Sequence, residues 1–352
     1  MRILVVGAGA TGGYFGGRLA QAGRDVTFLV RPGRAARLAE RGLRIKSPDG
    51  EIELRPRTIT EADGHYDLVL VAVKSYSLET ALTALTPAVG PRTVVIPLLN
   101  GIRHIESLIR RFGADRAWGG VCMIHATLDE NGDVHRMSGL HRLSFGPLSD
   151  ASPDGVLAGG VLAGGASSGD ASFEGVLTGG ASVGGGSFGG VFDGGASADG
   201  SDLDERLSGV TAALTGAGFD ARASSTIVQE LWDKWVLLAT LGAATTLLRG
   251  SIGAINKAPG GSEFLHALAA ETSAVAAAAG HPIQGKAAAM LEATIVTTEP
   301  TTSSMYRDLI QGLPVEAGAI VGDMVTEAAK HQLSVPLLAA AHTGLAVYSA
   351  SL

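Results

Sequence analysis

Cysteine is almost absent from this chain, since Cys122 is the single cysteine among 352 residues. A lone cysteine cannot form an internal disulfide and cannot build a metal site by itself. The sequence therefore predicts no metal and favours a reducing compartment. The expected role of Cys122 is that of a small buried side chain.

Excess positive charge and long apolar runs are missing as well. The 27 Lys and Arg residues are outnumbered by 34 Asp and Glu residues, and a formal net charge of −7 argues against nucleic acid or an anionic membrane as a partner. The longest uncharged apolar run, Trp235 to Leu248, is too short to cross about 30 Å of hydrocarbon and predicts a buried helix. The first apolar run is short and broken by glycines, so we expect a cytoplasmic protein without a targeting signal.

Length and composition indicate a globular protein of two domains with an insert. Hydrophobic residues make up 46% of the chain and charged residues 17%. Variants of GVLAGGAS repeat from Gly155 to Gly200, and so few apolar residues among so many glycines predict a flexible insert, with a short-period solenoid as the alternative. The predicted boundaries are 1–150 for the first domain, 151–201 for the insert and 202–352 for the second domain.

A glycine motif, GAGATG, follows the apolar run Ile3 to Val6 and precedes a helical pattern. Gly7 permits a tight turn, Gly9 lets the backbone approach a pyrophosphate, and Gly12 lets the helix pack closely on the strand. A second strand, Asp25 to Val30, completes the strand-helix-strand context that a dinucleotide site requires. A glycine turn without a ligand is the alternative.

Arg31 stands at the tip of that second strand, where an acidic residue would accept hydrogen bonds from the ribose of NAD. A guanidinium fits a 2′-phosphate instead, and Arg34 and Arg37 add positive charge nearby. The sequence therefore predicts NADP(H) as the cofactor, with a solvated basic loop as the alternative.

Two further apolar runs, Tyr66 to Val73 and Thr93 to Leu98, are typical of strands in a parallel sheet covered on both faces. Lys74 follows the first run and Asn100 follows the second. Because ligands bind beyond the carboxyl ends of such strands, both side chains are expected at the same crevice as the glycine motif. A surface lysine and an ordinary Asn-Gly turn are the alternatives.

The second domain is predicted to be all-helical. Its expected helices are Glu205 to Ala217, a long helix capped by Ser225 or Thr226, Ser262 to Ala279, Pro282 to Val296, Leu313 to His331 and Pro336 to Tyr348.

Lys234 and Glu316 are the candidate chemical groups of this helical domain. Lys234 lies in a strongly apolar helix, where loss of solvation suits an amine to proton transfer, although a lysine that snorkels to solvent is equally compatible. Glu316 is expected on the first turn of the helix that follows SSMYRDLIQGLPVE, and a helix-cap carboxylate is its alternative role.

Together these motifs resemble the ketopantoate reductase family over nearly the whole chain apart from the insert. The matching pieces are GAGATG, Arg31, Lys74, LLNG, WDK and SSMYRDLIQGLPVE. The resemblance implies a Rossmann-type α/β domain with a doubly wound sheet and an all-α domain like that of 6-phosphogluconate dehydrogenase, and a homodimer is left open.

The same resemblance implies a role for each matching residue in an NADPH-dependent reduction of 2-dehydropantoate to pantoate. Lys234 is the general acid that protonates the alkoxide as hydride reaches the carbonyl carbon, and Glu316 lies at the junction of substrate and cofactor. Substrate contacts are implied for Asn100 and Ser304. The implied cofactor residues are Gly7, Gly9, Ala10, Thr11, Gly12, Arg31, Lys74, Asn100, Ala126 and Glu316.

The sequence departs from the family at three expected asparagines, which are replaced by Leu238, Gly242 and Ile252. Without these amides a buried substrate hydroxyl loses partners worth about 1 to 3 kcal/mol each. A substrate with fewer hydroxyls, or one whose polar group meets Thr245, is the resulting expectation. Three hypotheses stay open: a ketopantoate reductase with an altered pocket, a reductase of another 2-oxo acid, and a non-catalytic NADP(H) sensor.

Overall fold

The computed structural model describes residues 1–148 and 200–352. The insert predicted at 151–201 lies outside these ranges except for its last two residues, which open a helix. Ten strands in two sheets are found in the described ranges: β1 (Arg2–Val6), β2 (Asp25–Leu29), β3 (Leu43–Ser47), β4 (Gly50–Leu54), β5 (Arg57–Ile59), β6 (Tyr66–Val71), β7 (Val89–Pro97), β8 (Trp118–Leu128), β9 (Val134–Pro147) and β10 (Asp220–Ala223).

Twelve α-helices accompany these strands in the same described ranges. They are α1 (Ala10–Gln21), α2 (Pro32–Arg41), α3 (Leu78–Leu85), α4 (His104–Phe112), α5 (Gly200–Leu214), α6 (Ile227–Leu247), α7 (Ile252–Lys257), α8 (Gly261–Ala278), α9 (Gly285–Ile295), α10 (Ser304–Ile310), α11 (Asp323–Lys330) and α12 (Pro336–Ala350). None of the described helices is long and apolar enough to cross a membrane.

The first sheet is parallel, with its strands in the order β5, β2, β1, β6, β7. Leu68 to Val71 of β6 are fully buried, as an uninterrupted apolar run requires when helices cover both faces. The chain leaves β1 toward β2 on one side and later returns to β6 on the other. This reversal opens a crevice at the carboxyl ends of β1 and β6.

The second sheet has the order β10, β9, β3, β4, with β8 antiparallel to β9. Helix α1 lies between the two sheets and buries Tyr14, Phe15 and Leu19 completely. A second buried cluster runs from the other face of the parallel sheet into the helical domain, where it includes Trp235 of α6. The two domains therefore share a continuous apolar core beside the crevice.

Helix α6 is the long helix predicted after Ser225 or Thr226. Thr226 occupies the N-cap position but makes no side-chain capping bond. The hydroxyl of Ser224 instead accepts a hydrogen bond from the Thr226 amide at 3.1 Å and donates to Glu230 at 2.6 Å. Thr226 therefore holds the predicted cap position and the helix begins at Ile227 as predicted, but the capping side chain is that of Ser224.

The prediction that residues 202–352 are all-helical is wrong for one segment. Residues Asp220 to Ala223 form β10, which pairs in parallel with β9 of the first domain. Val210 and Leu214 of α5 are buried in the same cluster as α1. The sequence DARA contains no β-branched or aromatic residue, so its extended conformation depends on pairing with the edge of β9. We propose that the helical domain begins near Thr226.

The helix predicted from Leu313 to His331 is shorter in the structure, where the helical segment begins after Glu316 and α11 ends at Lys330. Leu313 to Glu316 are not helical, and Pro314 disfavours the helical region for Leu313, the residue before it. A π-helical turn at Gly318–Gly322 then leads into α11. The separate helix α10 contains Ser304 and was not predicted.

Candidate active site in the interdomain cleft

A cleft of about 1530 Å³ lies between the carboxyl ends of the parallel strands and helices α6 and α10. Strand β8 contributes Cys122 to Ala126 to its wall. The cleft brings together these predicted site residues: Gly7, Gly9, Ala10, Thr11, Arg31, Lys74, Asn100, Ala126, Lys234, Ser304 and Glu316.

The glycine motif forms the turn between β1 and α1. Gly7 has φ of +95°, a conformation that L side chains rarely adopt. A Cβ on Gly12 would collide with the Gly7 carbonyl oxygen and lie 2.8 Å from the Ala72 Cβ, so this glycine permits the close packing of helix on strand. A Cβ on Gly9 would meet nothing within 4 Å, which leaves the loop open to the cleft. The free amides of the first turn of α1 fit the pyrophosphate of a dinucleotide.

Three arginines line the end of the cleft beside this loop. The Arg34 guanidinium is held within the protein, because it donates to the carbonyl oxygens of Ala8 at 3.1 Å and Gly132 at 3.0 Å. Arg31 is exposed, and its Nη2 atom donates to the Ser77 hydroxyl at 3.2 Å. The Arg31 guanidinium and the Ser77 hydroxyl are adjacent hydrogen-bond donors whose chemistry suits a 2′-phosphate.

Glu316 connects the two sides of the cleft. Its Oε1 atom accepts a hydrogen bond from the Ser75 amide at 2.9 Å, and its Oε2 atom lies 3.5 Å from the Lys74 Nζ atom. Lys74 also lies 3.1 Å from a carboxylate oxygen of Asp308 on α10. Burial lowers the pKa of Lys74, but the charges of Glu316 and Asp308 outweigh it and raise the pKa above its usual value. Lys74 is therefore a permanent cation that ties the strand end to the helical domain.

Lys234 is a buried cation on the helical side of the cleft. Its side chain is 9% exposed, which does not fit a lysine that snorkels to bulk solvent. Its Nζ atom lies 3.8 Å from the Cys122 sulfur, and no carboxylate of the described residues lies within 4 Å. A buried ammonium with so weak a partner is strongly stabilised by an oxygen acceptor that a ligand brings.

His104 is a buried neighbour of this ammonium that the sequence analysis did not identify. Burial, and after it the charge of Lys234, lower the pKa of His104 to about 3, although a hydrogen bond with the Asn100 backbone opposes them. Its Nε2 atom has no hydrogen-bond partner in the part of the chain that the structure describes. Because His104 is neutral near pH 7, it adds no second positive charge beside Lys234.

Arg307 is a further cation of the cleft that the sequence analysis did not assign. It lies one turn after Ser304 on α10, so both side chains share a helix face. Its Nη1 atom donates to the Thr302 carbonyl oxygen at 3.2 Å, and no carboxylate of the described residues pairs with it within 4 Å. Burial, opposed by Asp308, lowers the pKa of Arg307, so an anion in the cleft is a favourable partner.

Thr245 is the predicted substrate residue that the structure keeps away from the cleft. It is 0% exposed, and its hydroxyl donates to the Leu241 carbonyl oxygen at 2.7 Å and shares a 2.8 Å hydrogen bond with the Ser303 hydroxyl. The expectation that Thr245 meets a substrate hydroxyl is therefore wrong. It turns inward because its hydroxyl bonds the backbone one helical turn earlier.

The sequence carries only weak signals for Arg307 and His104. Arg307 lies inside the quoted SSMYRDLIQGLPVE motif, where its spacing from Ser304 could have been recognised. His104 follows LLNG by three residues, but nothing in the sequence indicates that it approaches Lys234, which is 130 residues away.

Comparison with known proteins covers both domains. The family model for ketopantoate reductase PanE/ApbA matches residues 3–150, and the model for the C-terminal domain of the same family matches residues 226–348. The Bacillus subtilis strain 168 protein described as uncharacterized oxidoreductase YkpB is 30% identical over 99% of both chains.

Many solved structures share the fold, among them the following two. A crystal structure of 2-dehydropantoate 2-reductase from Geobacter metallireducens GS-15 has a TM-score of 0.75 and 25% identity over 99% of both chains. The ternary structure of D-mandelate dehydrogenase with NADH and anilino(oxo)acetate has a TM-score of 0.76 and 21% identity over 100% of this chain and 99% of that one. These matches confirm the predicted α/β domain followed by a helical domain.

A fold and a cleft of this kind define an oxidoreductase of two domains. The chain belongs to the ketopantoate reductase family, as the resemblance of its motifs predicted.

Proposed function

We propose that the protein is an NADPH-dependent reductase that converts a 2-oxo acid to a 2-hydroxy acid, with 2-dehydropantoate as the family's default substrate. The observation that carries this proposal is the buried Lys234 ammonium, which lines the cleft opposite the glycine motif and lacks a carboxylate partner among the described residues. Family membership supports the same chemistry.

The proton balance of the reaction gives Lys234 its role. A 2-oxo acid, NADPH and one proton yield a 2-hydroxy acid and NADP⁺, and the bound nicotinamide supplies the hydride. Lys234 donates its proton to the carbonyl oxygen as negative charge develops there, which is general acid catalysis. The ammonium also stabilises that charge, and its burial strengthens the interaction because the local dielectric constant is low.

We propose that Glu316 and Lys74 hold the two sides of the cleft at a fixed distance and orientation. Glu316 binds the Ser75 amide beyond β6 while its own segment leads into the helical domain. This contact fixes the distance between the cofactor loop and Lys234, and alignment of this kind lowers the barrier to hydride transfer. Both residues line the cleft, where they would border a bound cofactor.

The proposal is tested by following NADPH absorbance with a panel of 2-oxo acids. We expect turnover with at least one of them and none without a 2-oxo acid. An NADP(H) sensor binds the cofactor without turnover, so tight NADPH binding with no reduction of any 2-oxo acid would reject the reductase proposal.

Arg307 is the proposed contact of the substrate carboxylate. An Arg-carboxylate pair is often bidentate and stronger than a neutral hydrogen bond. We expect Arg307→Gln to raise KM for every accepted 2-oxo acid by about tenfold or more, with a much smaller change in kcat. The measurement is steady-state kinetics beside NADPH titration, which should be unchanged.

The matched control for this variant is Arg111→Gln, since Arg111 is exposed at the end of α4 and lies outside the cleft. Its KM values should equal those of the wild type. If Arg307→Gln leaves KM unchanged, another group binds the carboxylate.

A further inference from the structure

The wall of the cleft beyond Lys234 is apolar. Leu238 and Leu241 follow Lys234 by four and seven residues on α6, so all three share one helix face, and all three line the cleft. Met123 and Ile124 of β8 line the same cleft. A substrate whose carbonyl oxygen meets Lys234 therefore lays its side chain beside leucine where the family resemblance expects asparagine.

At the second expected amide position, Gly242, the side chain of Met305 occupies the adjacent space. A Cβ on Gly242 would collide with the terminal methyl group of Met305, whose side chain is 2% exposed. The third position, Ile252, is fully buried in the core. Apolar atoms thus occupy the space at all three positions where the family resemblance implies amides.

The hydroxyl groups of Ser303 and Thr245, next to this wall, already have hydrogen-bond partners within the protein. Ser303 accepts a hydrogen bond from the Tyr306 amide at 2.9 Å and shares one with Thr245 at 2.8 Å, while Thr245 donates to the backbone. A hydroxyl on a substrate side chain that lies against Leu238 and Leu241 would lose water and gain no hydrogen bond from these two residues, whereas a methyl or phenyl group would gain by burial.

We infer that the substrate is a 2-oxo acid whose side chain is apolar, branched or aromatic, and carries no hydroxyl group. This inference rests on the proposed reductase function and departs from its default substrate. Leu238 is the residue that sets the preference, because it is the closest of the replaced positions to Lys234 along the cleft-facing side of α6.

The sharpest test compares two substrates that differ by one hydroxyl group. These are 2-dehydropantoate and 3,3-dimethyl-2-oxobutanoate, which is the same acid without its 4-hydroxyl. We expect kcat/KM with NADPH to be at least about tenfold higher for the dimethyl acid, and phenylglyoxylate to be reduced more efficiently than 2-dehydropantoate. Equal or better reduction of 2-dehydropantoate would overturn this inference and leave the reductase proposal intact. Failure to reduce any 2-oxo acid would overturn both.

A substitution at Leu238 tests whether this residue sets the substrate preference. Leu238→Asn is expected to shift the ratio of the two kcat/KM values by about tenfold toward 2-dehydropantoate. Leu237→Asn is the matched control, because Leu237 is partly buried on the same helix but outside the cleft, and it should leave the ratio unchanged. A ratio measured within one variant is insensitive to a loss of folded protein. If Leu238→Asn leaves the ratio at the wild-type value, Leu238 does not determine the specificity.

Discussion

Replacing Lys234 with alanine is expected to lower kcat on the best 2-oxo acid by about 10²- to 10⁴-fold, the usual contribution of general acid catalysis. The physical reason is that no other ammonium of the described residues lies buried at this position of the cleft; Lys74 is bound by Glu316 and Asp308. NADPH affinity should change little, because Lys234 is on the helical side of the cleft. Single-turnover kinetics and NADPH titration measure the two effects separately.

Two further variants show whether the loss of kcat is caused by removal of the Lys234 ammonium group. Lys234→Met keeps most of the buried volume and should be as inactive as Lys234→Ala. Lys257→Ala removes an exposed lysine at the end of α7, away from the cleft, and should have wild-type kcat. Near-normal turnover in Lys234→Ala would show that another donor protonates the substrate.

Changing Arg31 to aspartate is expected to reverse the cofactor preference. The wild type should bind NADPH more than about tenfold tighter than NADH, a difference above about 1.4 kcal/mol. In the variant a carboxylate replaces the guanidinium beside Ser77, so it repels the 2′-phosphate of NADPH and can accept hydrogen bonds from the ribose of NADH. The combined shift in the affinity ratio should approach about 100-fold.

Calorimetric titration with both cofactors measures this ratio. Arg111→Asp makes the same change of charge at an exposed site outside the cleft and should preserve the wild-type preference. Equal wild-type affinities for NADPH and NADH would contradict the role given to Arg31. The NADH in the D-mandelate dehydrogenase structure shows that a protein of this fold accepts the cofactor without the 2′-phosphate.

The local features of the dinucleotide domain were predictable because neighbouring residues specify them. The glycine motif, the apolar runs of β1 and β6, and the polar residues after two strands each depend on a few adjacent positions. The second sheet was not predicted. Its edge strand β10 contains no β-branched or aromatic residue and pairs only with β9 among the described strands. A strand of this kind depends on its partner more than on its own propensity.

Short motifs in the sequence were enough to predict the family, the α/β domain followed by helices, and the glycine loop, and they made Lys234 and Glu316 candidates. The contacts between distant side chains became visible in the folded protein. The Ser75 amide reaches a carboxylate 241 residues away, His104 approaches Lys234, and Thr245 turns away from the cleft to Ser303. The tertiary structure also decided that Met305 fills the space beside Gly242. The physical reason is that helix and turn signals act over a few residues, whereas burial, ion pairing and available volume depend on which distant side chains pack together.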